Sequence, residues 1–181
     1  MKKILYLLGI LVILTGCDFV RTLSNTPTKK VEQFLSKYQT LDKVVTDDLD
    51  TVIAEETNFN SAQRTKYRDI IEGNYQKLNY QVKEEEIDGD NATVTVEIEV
   101  IDAYKIMKDA ELYLSNNPDE FAENDEYSVS KFTDYRLDKL KEAKEKVKYT
   151  LELTLTKVDD EWFVDDLSQD DEDKINGMYQ Y

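Results

Sequence analysis

The sequence predicts an α+β fold, with N-terminal helices packed on a curved antiparallel sheet of two hairpins and a helical insert between the hairpins. Three features predict it. Residues 27–78 repeat their apolar side chains at helical spacing. Two later segments, 80–100 and 149–164, repeat them at every second residue, as a strand with one dry face does. The stretch between those segments, 102–146, returns to the helical period.

Thr26-Pro27 opens the first helix. A threonine oxygen accepts from an unpaired N–H of the first turn, and proline has no N–H to leave unpaired there. Val31, Phe34, Leu35, Tyr38 and Leu41 then form one stripe. Val45, Leu49, Val52 and Ile53 form a second. Tyr67, Ile70, Ile71, Tyr75 and Leu78, opened by Asn60-Ser61, form a third. All three helices are expected to cover the apolar face of the sheet.

The first hairpin begins with Leu78, Tyr80 and Val82. Ile87-Asp88-Gly89-Asp90 supplies its turn, because Asp-Gly tolerates positive φ. Ala92, Val94, Val96, Ile98 and Val100 alternate with Thr93, Thr95, Glu97 and Glu99, so one face is dry and the other wet. Tyr149, Leu151, Leu153 and Leu155 repeat the pattern, Asp159-Asp160 turns the chain, and Trp162-Phe163-Val164 returns it. In the insert, Ala103, Met107, Ala110 and Leu114 mark a helix stopped by Asn116-Asn117-Pro118. PDEFAENDEY reads as an acidic loop. KFTDYRLDKLKEAKEKVKY reads as a long charged helix with Phe132, Leu140, Ala143 and Val147 as its seam. Ser168 caps a short last helix, and Gly177 ends it.

Composition narrows the function. Asp and Glu number 39 against 23 Lys and Arg, a formal charge of −16 in 181 residues. Such a chain does not bind nucleic acid or an anionic bilayer through bulk electrostatics. Histidine is absent, which removes imidazole catalysis and histidine metal sites. The one cysteine, Cys17, follows Met1-Lys2-Lys3 and an uncharged run from Ile4 to Leu14. That run is far shorter than the roughly 20 residues of a membrane-spanning helix and has the layout of a signal peptide.

Leu14-Thr15-Gly16-Cys17 resembles the lipobox of bacterial lipoproteins. The resemblance implies cleavage between Gly16 and Cys17 and a diacylglycerol with palmitate-type chains on the Cys17 sulfur. Cleavage removes Lys2 and Lys3 and takes the charge from −16 to −18. The expected layout is a signal peptide over 1–16, a lipidated cysteine and tether over 17–26, and a single domain over 27–181. The implied location is the extracytoplasmic face of the cell membrane, held by the lipid anchor.

TPTKKVEQFLSKYQTLD and YTLELTLTKVDDEWFVDDLS together resemble the first helix and closing hairpin of the nuclear transport factor 2-like (cystatin-like) superfamily. The lipobox and the ending DKINGMYQY are similar to lipoproteins of Gram-positive bacteria. The resemblance implies a cone-shaped cavity under the sheet and an additional strand near the second and third helices. This sequence departs from the pattern in its helical insert and in having no clear candidate for that strand.

No residue set stands out as catalytic, and no cofactor or metal is expected. Glu97, Glu99 and Glu152 belong to the wet face. Asp88-Gly89-Asp90-Asn91 is too short for a calcium loop, and Asp170-Asp171-Glu172-Asp173 suits a helix N-terminus. Two functions stay open. The favoured one is a non-catalytic module that binds an envelope protein, a peptide or a small ligand. The alternative is an enzyme using Asp, Glu or Tyr on a small extracellular substrate in the cavity. Among the 12 tyrosines, Tyr75, Tyr80 and Tyr149 fall on apolar stripes and, with Trp162, line either a ligand pocket or the core. In the insert, Tyr113, Phe121 and Tyr127 are candidates for a partner surface, or else dock the insert onto the domain. Tyr104, Ile106 and Tyr135 share that ambiguity.

Overall fold

The computed structural model describes residues 25–181. Three helices come first: α1 (Pro27–Thr40), α2 (Lys43–Glu55) and α3 (Ser61–Tyr75). Strands β1 (Asn79–Asp88) and β2 (Asn91–Ile101) form a hairpin. The insert follows with α4 (Ala103–Asn116), a 3-10 turn (Pro118–Phe121), the short strands β3 (Ala122–Glu123) and β4 (Glu126–Tyr127), and α5 (Val129–Glu142). Strands β5 (Lys146–Val158) and β6 (Glu161–Val164) form the second hairpin, and α6 (Gln169–Ile175) precedes the C-terminal segment.

The caps fall where side-chain chemistry puts them. Thr26 accepts the Lys29 N–H, and Pro27 occupies the first turn. Asn60 and Gln63 form a reciprocal capping box on α3. Ser168 accepts the Asp171 N–H at the start of α6. Each cap satisfies N–H groups that the first turn leaves unpaired. Asp159 and Asp160 both adopt positive φ, as do Asn124 and Asp125 in the β3–β4 turn. These are the conformations that let a two-residue loop follow the strand twist.

The two hairpins join into one open antiparallel sheet of order β1-β2-β5-β6. Val94, Val96 and Ile98 of β2 pair with Leu153, Leu151 and Tyr149 of β5. All but Tyr149 are at most 2% exposed. The dry face is therefore one continuous aliphatic surface. The wet face is polar: Lys148 pairs with Glu97 at 3.0 Å and Lys146 with Glu99 at 3.1 Å. Hydrogen bonds from those ammonium groups hold both carboxyls below their usual range.

Several expectations need correction. Not all three helices cover the sheet. Val31 and Leu35 of α1, Leu78 after α3 and Ile175 of α6 join the core on the dry face. Helix α2 instead packs Leu49 and Ile53 on Ile71 of α3. Ile70 of α3 packs on Ala103, Leu137 and Leu140 of the insert. Val52 is 52% exposed, since Val45, Leu49 and Ile53 make up the buried face of α2. The acidic stretch after Pro118 contains a 3-10 turn and a small hairpin. Helix α5 ends at Glu142, so Ala143 caps it and Val147 lies in β5. The insert accordingly closes at Glu145, since Ile101 already pairs with Lys146.

Strand β1 holds a device that periodicity does not show. Its register shifts between Val82 and Glu84, which leaves Lys83 as an extra residue. The bulge reverses the facing of every later residue, so Glu85 pairs with dry-side Val94. Its carboxylate accepts from the Thr28 N–H (2.8 Å) and the Thr28 hydroxyl (2.6 Å). An acid is thus delivered to the positive end of α1 from a strand.

Candidate functional site

The insert is fastened at its base. Asp102 follows the last residue of β2 and caps α4, its Oδ1 accepting the Lys105 N–H at 3.0 Å. The Asp102 N–H donates to the Glu145 carbonyl at 3.0 Å, tying the two ends of the insert together. The Lys105 ammonium pairs with the Glu145 carboxylate at 2.6 Å. The Tyr181 hydroxyl donates to Asp102 Oδ2 at 2.8 Å, and its ring meets Tyr104 edge-on. The Tyr104 N–H donates to the Gly177 carbonyl at 2.8 Å. Gly177 has φ +67°, and a Cβ there would lie 1.9 Å from the Ile101 carbonyl oxygen, so only glycine fits. Asp102 is the one buried carboxylate among the described residues. Both of its oxygens are engaged, which makes it a structural joint.

Helix α3 holds the insert from the side. Gln63, 2% exposed, donates through Nε2 to the Ser130 carbonyl and hydroxyl (3.1 Å each) and to Asp134 Oδ1 (2.9 Å). Lys66 pairs with Asp138 at 2.7 Å. Sequence reading did not single out Gln63. The capping-box spacing from Asn60 was the available signal; partners 67 to 71 residues away were not visible.

Above that base sits an aromatic cluster. Phe121 meets Phe132 and Tyr135 edge-on, each at 5.3 Å, while Tyr113 stacks on Tyr135 at 5.1 Å. The Arg136 guanidinium lies over Phe132 and the Lys139 ammonium over Tyr135. The Tyr113 hydroxyl hydrogen-bonds the Glu120 carboxylate, which raises its pKa. Of the three surface candidates, Phe121 is buried, Tyr113 is half-buried and Tyr127 is 54% exposed. Leu112 and Val129, which sequence reading did not single out, stand 62% and 47% exposed on the same insert.

The pocket candidates lie on the dry side of the sheet. Tyr80 and Tyr149 both pair with Ile98, from opposite sides. Tyr75 meets Tyr38 edge-on, and its hydroxyl donates to Asn176 Oδ1 at 2.8 Å. The Tyr80 hydroxyl reaches the Glu32 carbonyl and the Tyr149 hydroxyl the Tyr179 carbonyl. Burial pushes Tyr149 up to about 12 and raises Tyr75 further. Trp162 is buried, and its backbone N–H donates to Asn25 Oδ1. Asn25 and Thr26, assigned above to the tether, are thus already bonded to the body. A groove of about 180 Å³ opens elsewhere, between α3 and α5, lined by Lys66, Ile70, Gly73, Lys77, Leu140 and Lys141 among others. That is smaller than the roughly 300 Å³ at which small-molecule pockets begin.

No group of three or more acidic or cysteine ligands converges among the described residues. Asp88 and Asn91 face each other across a two-residue turn. Asp171 is bonded to Ser168 and Lys174. No helix among the described residues is long and apolar enough to cross a membrane. Gly16 and Cys17 lie outside the described residues.

Residues 1–17 match the family model of the prokaryotic membrane lipoprotein lipid attachment site. The chain therefore carries a lipoprotein attachment site ahead of an α+β body. It is similar to a solved structure from Bacillus subtilis subsp. subtilis strain 168, YcdA, a provisionally assigned lipoprotein. The identity is 17% and the TM-score 0.49, over 77% of this chain and 47% of that one. The chain thus spans about half the length of that protein. No curated protein matches it.

Proposed function

We propose that this chain is a lipid-anchored lipoprotein whose residues 27–181 form one non-catalytic binding module on the extracytoplasmic face of the membrane. Its partner surface is the insert, and the partner is a protein or peptide of the envelope. The observation that carries this is the apolar exposure of the insert. Leu112, Tyr127 and Val129 are 62%, 54% and 47% exposed over a base that is itself packed and bonded. Exposed aromatic and aliphatic anchors on a rigid support are what dominate binding energy at interfaces. The dry face of the sheet is filled by its own helices, and its wet face is a ladder of Thr, Glu and Lys apart from Phe163 of the edge strand β6.

The body also fits the nuclear transport factor 2-like reading in two respects: helices precede the sheet, and α1 lies across its dry face. On that reading the usual cone is occupied by side chains of the core.

The test is photo-crosslinking in intact cells from single sites on the full-length chain. Tyr127 and Leu112 should give protein adducts, and the exposed Thr51 of α2 should not. Adducts from Thr51 alone would overturn the assignment. Cys17→Ala should abolish membrane retention or leave an uncut precursor; normal processing and partition would remove the anchor from the reading.

A further inference from the structure

The two long edges of the sheet are built differently. Along β1 the sequence sets Glu84, Glu85 and Glu86 in succession and a bulge at Lys83. Charge and bulge both discourage another strand from pairing. Strand β5 has 13 residues, but β6 pairs only with Leu155–Val158. The Asp165 N–H donates to the Thr154 carbonyl at 3.0 Å. The chain then leaves for the dry side, where Ile175 joins the core and Tyr179 meets Tyr149. Ladder bonds alternate along a strand. Lys148, Thr150 and Glu152 therefore direct their N–H and C=O groups outward in the plane of the sheet. Among the described residues no backbone group pairs with them there. This stretch has no proline, no bulge and no run of like charge.

We propose that this edge is the seat of a second copy of the chain, with two β5 strands pairing antiparallel about Thr150. The sequence of the edge is complementary to itself in that register. Thr150 faces its own copy, and Lys148, whose ammonium also pairs with Glu97 of its own chain at 3.0 Å, faces Glu152 at both symmetry-related positions. Opposite charges and Thr–Thr pairs directly across strands stabilise a sheet. The outward groups of these three residues exchange roughly six backbone hydrogen bonds. The net charge of −18 expected on each anchored copy once Lys2 and Lys3 are cleaved off opposes association at long range, but at physiological salt it is screened beyond about 8 Å. The symmetry axis of such a dimer is normal to the sheet. Two copies anchored in one membrane need that axis along the membrane normal, so the shared sheet lies parallel to the bilayer. Cys17 precedes Asn25 by eight residues, so each tether reaches at most about 28 Å. The inference is independent of which surface meets the envelope partner.

The experiment is disulfide trapping of the full-length chain in its native membrane. Thr150→Cys places two thiols at paired positions about 5.5 Å apart between Cα atoms, within the span of a disulfide. Oxidation should give a dimer. Thr95→Cys, on the same wet face but on the inner strand β2, should not. Lys148→Glu should lower the trapped dimer about tenfold, since it sets like charges opposite each other twice. Adding Glu152→Lys to it should restore the dimer. All four side chains lie on the wet face, and the restoration separates lost pairing from lost folding. A monomeric Thr150→Cys chain, equal trapping from Thr95→Cys, or no restoration by the double reversal overturns the proposal. So does an adduct of Thr150→Cys with another protein in place of the dimer.

Discussion

The sheet and the insert are both held by apolar burial, but by different kinds of side chain in different arrangements. The body stacks Val94, Val96, Ile98, Leu151, Leu153 and Leu155 along two strands whose register extends over Asn91–Ile101. The insert gathers Phe121, Phe132, Tyr113 and Tyr135 around Ala110, from elements joined by short loops. The aliphatic core is continuous with α1 and α6, so any gap in it is felt by the whole body. The aromatic cluster touches the rest through the joint at Asp102–Glu145 and through α3. An insert whose ends leave from paired strands can vary without disturbing the register of those strands. A recognition surface of the kind proposed is more readily built there than on the sheet.

The sharpest test of this contrast compares a truncation in each core. Leu151→Ala should destabilise the whole described body by about 2–5 kcal/mol, visible as a lower denaturant midpoint and as faster amide exchange throughout β2 and β5. Phe121→Ala should cost about 3 kcal/mol, with faster exchange concentrated in α4 and α5. Equal loss of protection in both regions after Phe121→Ala would show that the insert is not a separate cooperative unit.

A smaller effect should appear in alkali, from tyrosines buried in the body. Burial raises Tyr38 and Tyr149 from the ordinary 10.0 to about 12. A phenolate forms more easily in the unfolded chain than in the core, so unfolding releases protons in this window. The stability these hydroxyls contribute is complete below pH 10 and is lost as pH rises towards 12. Tyr38→Phe should flatten the dependence of the unfolding midpoint between those values, and a slope identical to that of the parent chain would count against burial of this ring.

The smallest effect, of opposite sign, concerns Gly73. It lies inside α3 at the edge of the groove, and a Cβ there would meet nothing within 4 Å. Gly73→Ala should stabilise the chain by about 0.5–1 kcal/mol, because alanine loses less backbone freedom in a helix. A destabilised variant would mean that the groove closes on this position.

Much of this architecture was determined by the sequence alone, because its causes are local. Alternation places Val94 and Leu151 inside, whatever else the chain does. Thr26, Asn60 and Ser168 find their partners within three residues. The attachment site is a contiguous motif ending at Cys17. Other features depend on groups distant in the chain, and tertiary structure alone decided them. Lys83 is an extra residue only because β2 offers no partner for it, and Glu85 meets Thr28 only after that bulge. Gln63 is buried because Ser130 and Asp134 arrive beside it, and Asp102 because Glu145 and Tyr181 close over it. Helix α5 stops at Glu142 although helix-forming residues continue, since Lys146 is claimed by its pairing with Ile101. Local propensity decides where an element can begin; the competing partner, supplied by the fold, decides where it ends and which polar groups go inside.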